Sequence, residues 1–511
     1  MDVLNNLWGG FAVALSPNNL LYSFIGVFMG NLIGVLPGIG PLAAISMLLP
    51  ITYSLEPTGA LMMLAGIYYG AQYGGATTSI LLNLPGVASH AVTCLDGHPM
   101  ARQGRGGAAL FMAMFASFIG ATIGILVMMF FSPLLVDVAF QFGPAEYFAM
   151  MLLGLLAAST LAKGSPLKGV AMVFVGLILG VVGTDVNSGV ARFAFDVPEL
   201  TDGLSLVALA MGLFGIADIL QHANRMAGGE SVRSTPITMR SLRLGKGEMK
   251  RSWGPIARGT GIGAFFGILP GTGSTIASFM SYAMEKKVSR TPERFGHGAI
   301  EGIAGPEASN NAAAQTAFIP TMSLGIPGDA VMALMLGALM IHNIQPGPQI
   351  ISEHPTIFWG LIASFWIGNL LLLVLNIPLI GMWVKLLSVP YRLIYPAVLF
   401  FICIGVYSTN NNFFDVGSVL AIGIFGFLLV RLGFEPAPLL LGFVLGPLVE
   451  ENFRRALLLS RGDMSVFVSR PISGAFMAMC ALLIIGVAYS RLRRKPAPAA
   501  PVEAPPSPAA A

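Results

Sequence analysis

The stretch Gly26–Gly40 reads GVFMGNLIGVLPGIG, and the stretch Gly259–Gly273 reads GTGIGAFFGILPGTG. Each glycine of the first stretch has a glycine partner in the second, and Pro37 pairs with Pro270. A pattern that recurs within one chain indicates an internal duplication, which determines the architecture. These stretches therefore predict a protein made of two related halves.

Two further matches follow in the same order. LLNLPG, ending at Gly86, corresponds to SLGIPG, ending at Gly328, and ASFIG at Ala116–Gly120 corresponds to ASFWIG at Ala363–Gly368. We expect a first repeat over residues 1–225, a basic cytoplasmic linker over 226–258 and a second repeat over 259–494. Residues 495–511 are rich in proline and alanine, which predicts a disordered tail.

The composition indicates that lipid is the solvent. Of the 511 residues 55% are hydrophobic and 10% are charged, whereas a soluble domain has about 25% charged residues. The 62 glycines and 34 prolines interrupt the apolar runs, as is typical of transport proteins with broken helices. The fold expected is an all-α polytopic membrane protein with about 10–12 transmembrane helices. The net charge of +4 comes from basic residues in short loops and indicates no nucleic-acid partner.

Loop charges predict how the halves sit in the membrane, because lysine and arginine stay on the cytoplasmic side. The loop Thr52–Pro57 has no basic residue. The equivalent loop of the second half contains Lys286, Lys287, Arg290 and Arg294. After the second motif the bias is reversed, with Arg102 and Arg105 in the first half and Glu353 in the second. This reversal predicts two inverted-topology repeats.

The PGTG segment has basic residues on both sides, Arg258 before it and Lys286 after it. An apolar segment that begins and ends on one side of the membrane is a re-entrant hairpin, so we expect PGTG and PGIG to enter from opposite faces. A single helix that violates the charge rule locally is the alternative.

Four segments combine Gly/Pro breaks with small polar residues: Leu36–Pro41, Leu269–Thr275, Gly70–Gly86 and Gly305–Asp329. Irregular backbone is tolerated inside a membrane only where protein or a water-filled cavity satisfies it. The N-terminus of a half-helix offers unpaired N–H groups to an anion. The predicted substrate-binding residues are Gly38, Gly40, Thr77, Thr78, Ser79, Gly271, Thr272, Gly273, Ser274 and Thr275. The alternative is that such glycines only let helices pack closely, the role we expect for Gly26, Gly30, Gly34, Gly259, Gly263 and Gly267.

Polar residues of the second half indicate an ion site. The predicted ligands are Asn310, Asn311, Glu307 and Asp329. An isolated charge in lipid is energetically costly, so acidic residues within apolar segments are candidates for a functional role. For Glu307 the alternative is a position near a loop, facing water. No cysteine or histidine spacing indicates a transition metal, so a coupling sodium ion or proton is expected and no cofactor.

The motifs PGTGSTIASFMSYAMEKK, GPEASNNAAAQ and SLGIPGD, with LGPLVEENFRRALLLSRGD at Leu445–Asp463, are found together with PGIGP. With this set of motifs, the chain resembles the large membrane subunit (TctA-type permease) of the tripartite tricarboxylate transporters. The resemblance extends from about Met1 to Arg494.

The resemblance implies a permease of the bacterial inner membrane that imports a tricarboxylate, dicarboxylate or aromatic acid by ion-coupled symport. It also implies a small membrane subunit (TctB-type) and a periplasmic solute-binding protein (TctC-type) as partners. The chain has no GxxxxGK[ST] motif and is not expected to be an enzyme. Two alternatives are a passive anion channel and an intramembrane aspartyl enzyme. The latter is suggested by GIPGD at Gly325–Asp329 but needs a second membrane-embedded aspartate.

Overall fold

The computed structural model describes residues 3–36, 40–139, 141–161, 165–185, 188–222, 237–269, 273–387 and 391–493. In the first half the helices are α1 (Val3–Ala14), α2 (Pro17–Val35), α3 (Pro41–Thr52), α4 (Pro57–Leu82), α5 (Ala91–Met100), α6 (Gly106–Ala139), α7 (Pro144–Leu161), α8 (Pro166–Gly180), α9 (Leu206–Ala210) and α10 (Ala217–His222). In the second half they are α11 (Glu248–Ile268), α12 (Gly273–Val288), α13 (Glu301–Thr316), α14 (Phe318–Leu324), α15 (Ala330–Ile341), α16 (Gln349–Glu353), α17 (Pro355–Asn376), α18 (Ile380–Leu386), α19 (Tyr391–Asn410), α20 (Phe413–Arg431), α21 (Ala437–Leu459), α22 (Val466–Ser469) and α23 (Pro471–Arg493).

Short elements complete the described chain. Antiparallel strands Gly183–Thr184 and Ala191–Arg192 form a small hairpin. π-Helical turns at Ala101–Arg105 and Met211–Ile216 join α5 to α6 and α9 to α10. 3₁₀-Helical turns lie at Ala88–His90, Pro198–Leu200, Met239–Leu242 and Pro292–Arg294. The prediction of an all-α fold is confirmed.

The apolar surface of the helices is that of a membrane protein. Within the described chain, four helical stretches are long and apolar enough to cross a membrane: Pro17–Val35, Ala88–Val136, Pro355–Asn376 and Phe413–Arg431. On α20 the exposed residues Leu420, Ile424 and Leu428 are spaced as one face of a helix, which suits contact with lipid. Shorter apolar helices accompany these, and the predicted total of about 10–12 crossings stays a prediction.

The repeated glycines bring two helix pairs into backbone contact. α2 packs along α4, and α11 packs along α13. A Cβ added to Gly30 would lie 2.2 Å from the carbonyl oxygen of Ile67, and one added to Gly263 would lie 2.1 Å from that of Ser309. Added Cβ atoms would also overlap neighbouring backbone at Gly26, Gly34, Gly259 and Gly267. The predicted packing role of these glycines is confirmed.

The helices break at matching points of the two repeats. α4 ends at Asn83 with φ 56°, and α14 ends at Gly325 with φ 69°, both left-handed conformations that favour asparagine and glycine. These residues occupy the same position in LLNLPG and SLGIPG. Thus the breaks lie at the LPG and GIPG sequences.

The polar stretches before these breaks are helical, contrary to the expectation that they are themselves interrupted. α4 continues through Gly70–Ser79, and α13 continues through GPEASNN. The reason is that the glycines face a neighbouring backbone: a Cβ on Gly70 would lie 2.3 Å from the carbonyl oxygen of Val27 on α2. α11 begins at Glu248, within the predicted linker, whereas residues 226–236 and the predicted tail from residue 495 lie outside the described residues.

Each half inserts one helix into the other. α6 of the first half packs on α13 of the second, and α17 of the second half packs on α4 of the first. Asn369 on α17 accepts a hydrogen bond from the Tyr73 hydroxyl on α4 at 2.7 Å and donates one to Thr122 Oγ1 on α6 at 3.0 Å. The helices α6 and α17 contain the matching ASFIG and ASFWIG sequences. The two halves are therefore interlocked.

Candidate functional site

A cavity of about 510 Å³ lies where the two halves meet. Its lining includes the start of α3 (Gly40, Pro41, Leu42), two residues of α4 (Tyr68, Gln72), the loop 85–88, the start of α12 (Gly273, Ser274, Thr275, Ile276) and the start of α15 (Asp329, Ala330, Val331). Glu435 and four apolar residues of other helices complete the wall. All four segments that the sequence analysis selected contribute residues to this cavity.

Three helices begin at the cavity wall. α3 and α15 have 12 residues each and α12 has 16, long enough for each to present a partial positive charge at its N-terminus. Gly40 precedes α3 without a side-chain cap, so the first N–H groups of α3 have no side-chain acceptor there. At the start of α12, Gly273 has φ +59°, a conformation that residues with a side chain rarely adopt. This arrangement suits an anion.

Asp329 is the N-cap residue of α15. Its carboxylate accepts a hydrogen bond from the backbone N–H of Met332 at 2.9 Å and another from the Tyr68 hydroxyl at 3.4 Å. Asp329 and Glu435 are the acidic residues of the wall, and no lysine or arginine is among the described residues that line it. An anion in this cavity would therefore lie near two carboxyl groups, and a co-bound cation or proton would relieve the repulsion.

The predicted substrate-binding residues fall into three groups. Gly40, Gly273, Ser274 and Thr275 line the cavity. Thr77, Thr78 and Ser79 do not, because they are buried within α4, where the hydroxyls of Thr78 and Ser79 donate to the carbonyl oxygen of Gly75 at 3.1 and 2.8 Å. Gly38, Gly271 and Thr272 lie outside the described residues.

The predicted ion ligands are divided between two places. Asp329 is at the cavity, whereas Glu307, Asn310 and Asn311 lie in a buried polar cluster between α5, α6 and α13. The alternative position for Glu307, near a loop and facing water, is wrong, since its exposed fraction is 0%. Glu307 Oε1 accepts from Thr93 Oγ1 at 2.5 Å, and Oε2 accepts from Ser117 Oγ at 3.2 Å.

His90 completes this cluster. Its Nε2 lies 3.5 Å from Glu307 Oε2 and 3.2 Å from Asn310 Nδ2. The neighbouring Ser89 donates a hydrogen bond at 3.4 Å to the side-chain oxygen of Gln72, and Gln72 lines the cavity. Polar groups thus lead from the cavity to the buried carboxylate.

Sequence reasoning missed several residues of this region. Tyr68 and Gln72 are four residues apart in an apolar helix, and this helical spacing of two polar side chains was a usable signal. His90 has no metal-ligand spacing in the sequence and therefore gives no local signal. Its partner Glu307 is in the other half of the chain, so no local pattern connects them.

A second cavity of about 530 Å³ lies at the other end of the GIPG break. Gly325 lines this second cavity together with Asn343, Gln345 and Arg455, whereas Asp329 lines the first. Between these two positions Ile326 is fully buried and packs with Met150 and Met151. The segment Gly325–Asp329 thus separates the two cavities.

Apolar helices long enough to cross a membrane, sequence motifs that recur in both halves of the chain and a cavity where broken helices meet define a helical membrane protein of the transport class. The sequence matches the Tripartite tricarboxylate transporter TctA family over residues 20–441, and the chain belongs to this family. The chain is therefore a component of a tripartite tricarboxylate transporter.

Two relatives come from Agrobacterium vitis. The "Uncharacterized 52.8 kDa protein in TAR-I ttuC' 3'region" is 52% identical over 496 residues, which cover 97% of this chain and 98% of the relative. The "Uncharacterized protein in TAR-II ttuC' 3'region" is 55% identical over 233 residues, which cover 46% of this chain and 96% of the relative. No solved structure matches the chain.

Proposed function

We propose that this chain is the large permease subunit of a binding-protein-dependent secondary transporter, which imports a small carboxylate anion across the bacterial inner membrane. The observation that carries the proposal is the cavity, because repeated segments of both halves form its wall. The substrate is a tricarboxylate, a dicarboxylate or an aromatic acid. The chain is multi-pass, and its small membrane subunit (TctB-type) and periplasmic binding protein (TctC-type) are the partners that the family implies.

The carboxylate binds at the N-termini of α3 and α12. Backbone N–H groups and the hydroxyls of Ser274 and Thr275 donate to its oxygens, and Gly40 and Gly273 let the backbone approach. Hydrogen bonds to a charged group contribute about 1.5–3 kcal/mol each. A cation or proton that enters with the anion balances its negative charge.

Transport proceeds by alternating access. Two halves of inverted topology can exchange conformations, and this exchange exposes one central site to either face of the membrane in turn. The helix pairs α2–α4 and α11–α13, which share the same glycine contacts, support such an exchange. The helix breaks after α4 and α14 form the moving part.

The rival functions have less support. An aspartyl enzyme needs a second aspartate beside Asp329, but none is found among the described residues that line the cavity. Asp329 is moreover engaged as the cap of α15. A passive channel requires a continuous path, whereas buried Ile326 lies between the two cavities.

The test is uptake into proteoliposomes that contain this chain, its small subunit and its cognate binding protein. Labelled citrate, succinate and an aromatic acid are supplied with and without an ion gradient. We expect gradient-dependent uptake of one class, lost when the binding protein is omitted. Uptake indifferent to both the gradient and the binding protein would contradict the proposal.

A paired variant tests the site itself. Ser274→Ala combined with Thr275→Val should raise the KM about tenfold, the effect of losing about 1.4 kcal/mol. Ser278→Ala is the matched control, because this buried serine on the same helix bonds the Ser274 carbonyl oxygen and does not line the cavity. An unchanged KM in the paired variant would exclude the start of α12 from the substrate site.

A further inference from the structure

We infer that His90 and Glu307 form the site that binds the coupling ion, and that this ion is a proton and not sodium. The inference rests on the proposed function and makes its ion coupling specific. Both side chains are completely buried and lie in different halves of the chain. Movement of one half against the other would therefore change the distance between the two side chains.

The hydrogen bonds around Glu307 favour a proton over a sodium ion as the bound species. Asn311 Nδ2 donates to Ser117 Oγ at 2.8 Å, so the Ser117 hydroxyl hydrogen points to Glu307 Oε2. The Thr93 hydroxyl donates to the other carboxylate oxygen. A sodium ion at this carboxylate would have to compete with these donated hydrogen bonds and would lie beside the His90 ring, which offers a nitrogen and not the oxygen ligands that hard cations prefer.

His90 supplies the group that exchanges a proton. Imidazole is the side chain that ordinarily gains and loses a proton near neutral pH. Nε2 faces Glu307, whereas Nδ1 faces Gly75 of α4 and has no hydrogen-bond partner among the described residues. Asn310 Oδ1 also lacks a hydrogen-bond partner. Rotating the side-chain amide of Asn310 by about 180° would place Oδ1 where it accepts a hydrogen bond from Nε2–H of His90.

The pair is buried without a permanent positive charge beside it. An ionised carboxylate without a positive partner costs several kcal/mol in such an interior. No lysine or arginine in the described part of the chain forms an ion pair with Glu307. The other titratable groups that face it are the Tyr73 hydroxyl on α4 and the Cys94 thiol on α5. One proton, on Glu307 or shared with His90, therefore makes the cluster neutral.

The cluster is also joined to the substrate cavity. Ser89 precedes His90 and bonds Gln72, which lines the cavity, and the loop residues Val87 and Ala88 line it too. The loop that carries His90 therefore also forms part of the cavity wall, so a change in the cavity can be transmitted to the cluster. Separation of α13 from α5 would break the contact between His90 and Glu307 and release the proton to the other side.

The experiment compares net uptake with exchange in the same proteoliposomes, with the small subunit and the binding protein present. Net uptake requires release of the proton in each cycle, whereas exchange of labelled for unlabelled substrate does not. We expect Glu307→Gln to lose uptake driven by a pH gradient to the level of liposomes without protein, and to keep exchange. His90→Gln should behave in the same way. Wild-type uptake should carry protons inward, as recorded by a pH-sensitive dye.

Glu285→Gln is the control, since Glu285 is a buried carboxylate of the second half whose hydrogen bonds go to Arg258 and not to this cluster. It should keep proton-driven uptake. Net uptake with proton movement in Glu307→Gln would overturn the inference. Loss of exchange along with uptake in both variants would also overturn it, since a structural role predicts that result. Wild-type uptake driven by sodium alone overturns only this inference, whereas no carboxylate transport at all contradicts the proposed function as well.

Discussion

At Gly30 and Gly263 the backbone of one helix lies directly on the backbone of another. Each glycine occupies the middle of a row of three, spaced four residues apart, and each row faces carbonyl oxygens with the same spacing. Without a driving force from water, helices in lipid associate through such close packing. These residues therefore determine how closely α2 approaches α4 and how closely α11 approaches α13.

Gly30→Ala and Gly263→Ala should both destabilise the protein. The added methyl group would overlap a carbonyl oxygen, and overpacking of this kind costs about 1–3 kcal/mol. Thermal unfolding in detergent measures the effect as a lower Tm. Gly261→Ala is the control on α11, since a Cβ there meets nothing within 4 Å. Equal Tm values for Gly261→Ala and Gly263→Ala would contradict the packing role.

Asp96 is a second decisive residue. Its Oδ1 accepts hydrogen bonds from the backbone N–H groups of Gly296, Gly298 and Ala299 at 2.8–2.9 Å, and its Oδ2 accepts from the Tyr282 hydroxyl at 3.0 Å. One buried carboxylate of α5 thus holds the loop that precedes α13 in the other half.

Asp96→Asn should loosen this loop. The amide is uncharged, and hydrogen bonds to a charged group are stronger than neutral ones by about 1 kcal/mol. Hydrogen–deuterium exchange of residues 296–299 should become faster, while exchange in α20 stays unchanged. Tyr282→Phe removes one of the four hydrogen bonds and should have a smaller effect. Unchanged exchange in Asp96→Asn would show that the loop is held by other contacts.

Among the elements, the segment between α14 and α15 has the most direct consequence for transport. It begins at Gly325 in the second cavity and ends at Asp329 in the first. Its one large apolar residue, Ile326, is packed among Met150, Met151 and neighbouring aromatic rings. A short loop closed by one side chain is easier to open than a packed helix.

Ile326→Ala should therefore let substrate leak between the cavities. Removing a buried isoleucine side chain leaves a void and costs about 2–5 kcal/mol of packing. Loaded proteoliposomes should lose labelled carboxylate without a gradient or the binding protein. Ile319→Ala is the control, because Ile319 is equally buried on α14 but packs in the main core. A leak in both variants would show general destabilisation and not an opened barrier.

In the whole molecule, the halves depend on each other because α6 and α17 are exchanged between them. A chain divided within residues 223–236 should therefore assemble from two co-expressed fragments that purify together in detergent. Each fragment produced alone should aggregate, because the surface that accepts the other half's helix would be uncovered. Size-exclusion chromatography distinguishes the two results. A monodisperse fragment folded by itself would contradict the interlocked arrangement.

The all-α fold, the packing glycines and the segments around the cavity could be predicted because each depends on local sequence. The orientation of side chains could not. Thr77–Ser79 face away from the cavity because the glycines of α4 fix its rotation against α2. Similarly, the contact between His90 and Glu307 joins residues from different halves, and only the tertiary structure brings them together.

The exchange of α6 and α17 also has an evolutionary meaning. A single repeat would lack the helix that fills its own groove, so two identical copies would have to insert a helix into each other, as in a swapped homodimer. Joining two such copies in one gene would allow them to become different. The register that pairs Gly86 with Gly328 pairs Glu307 with Ala65. An identical dimer would carry this carboxylate twice or not at all, whereas the fused chain carries it once.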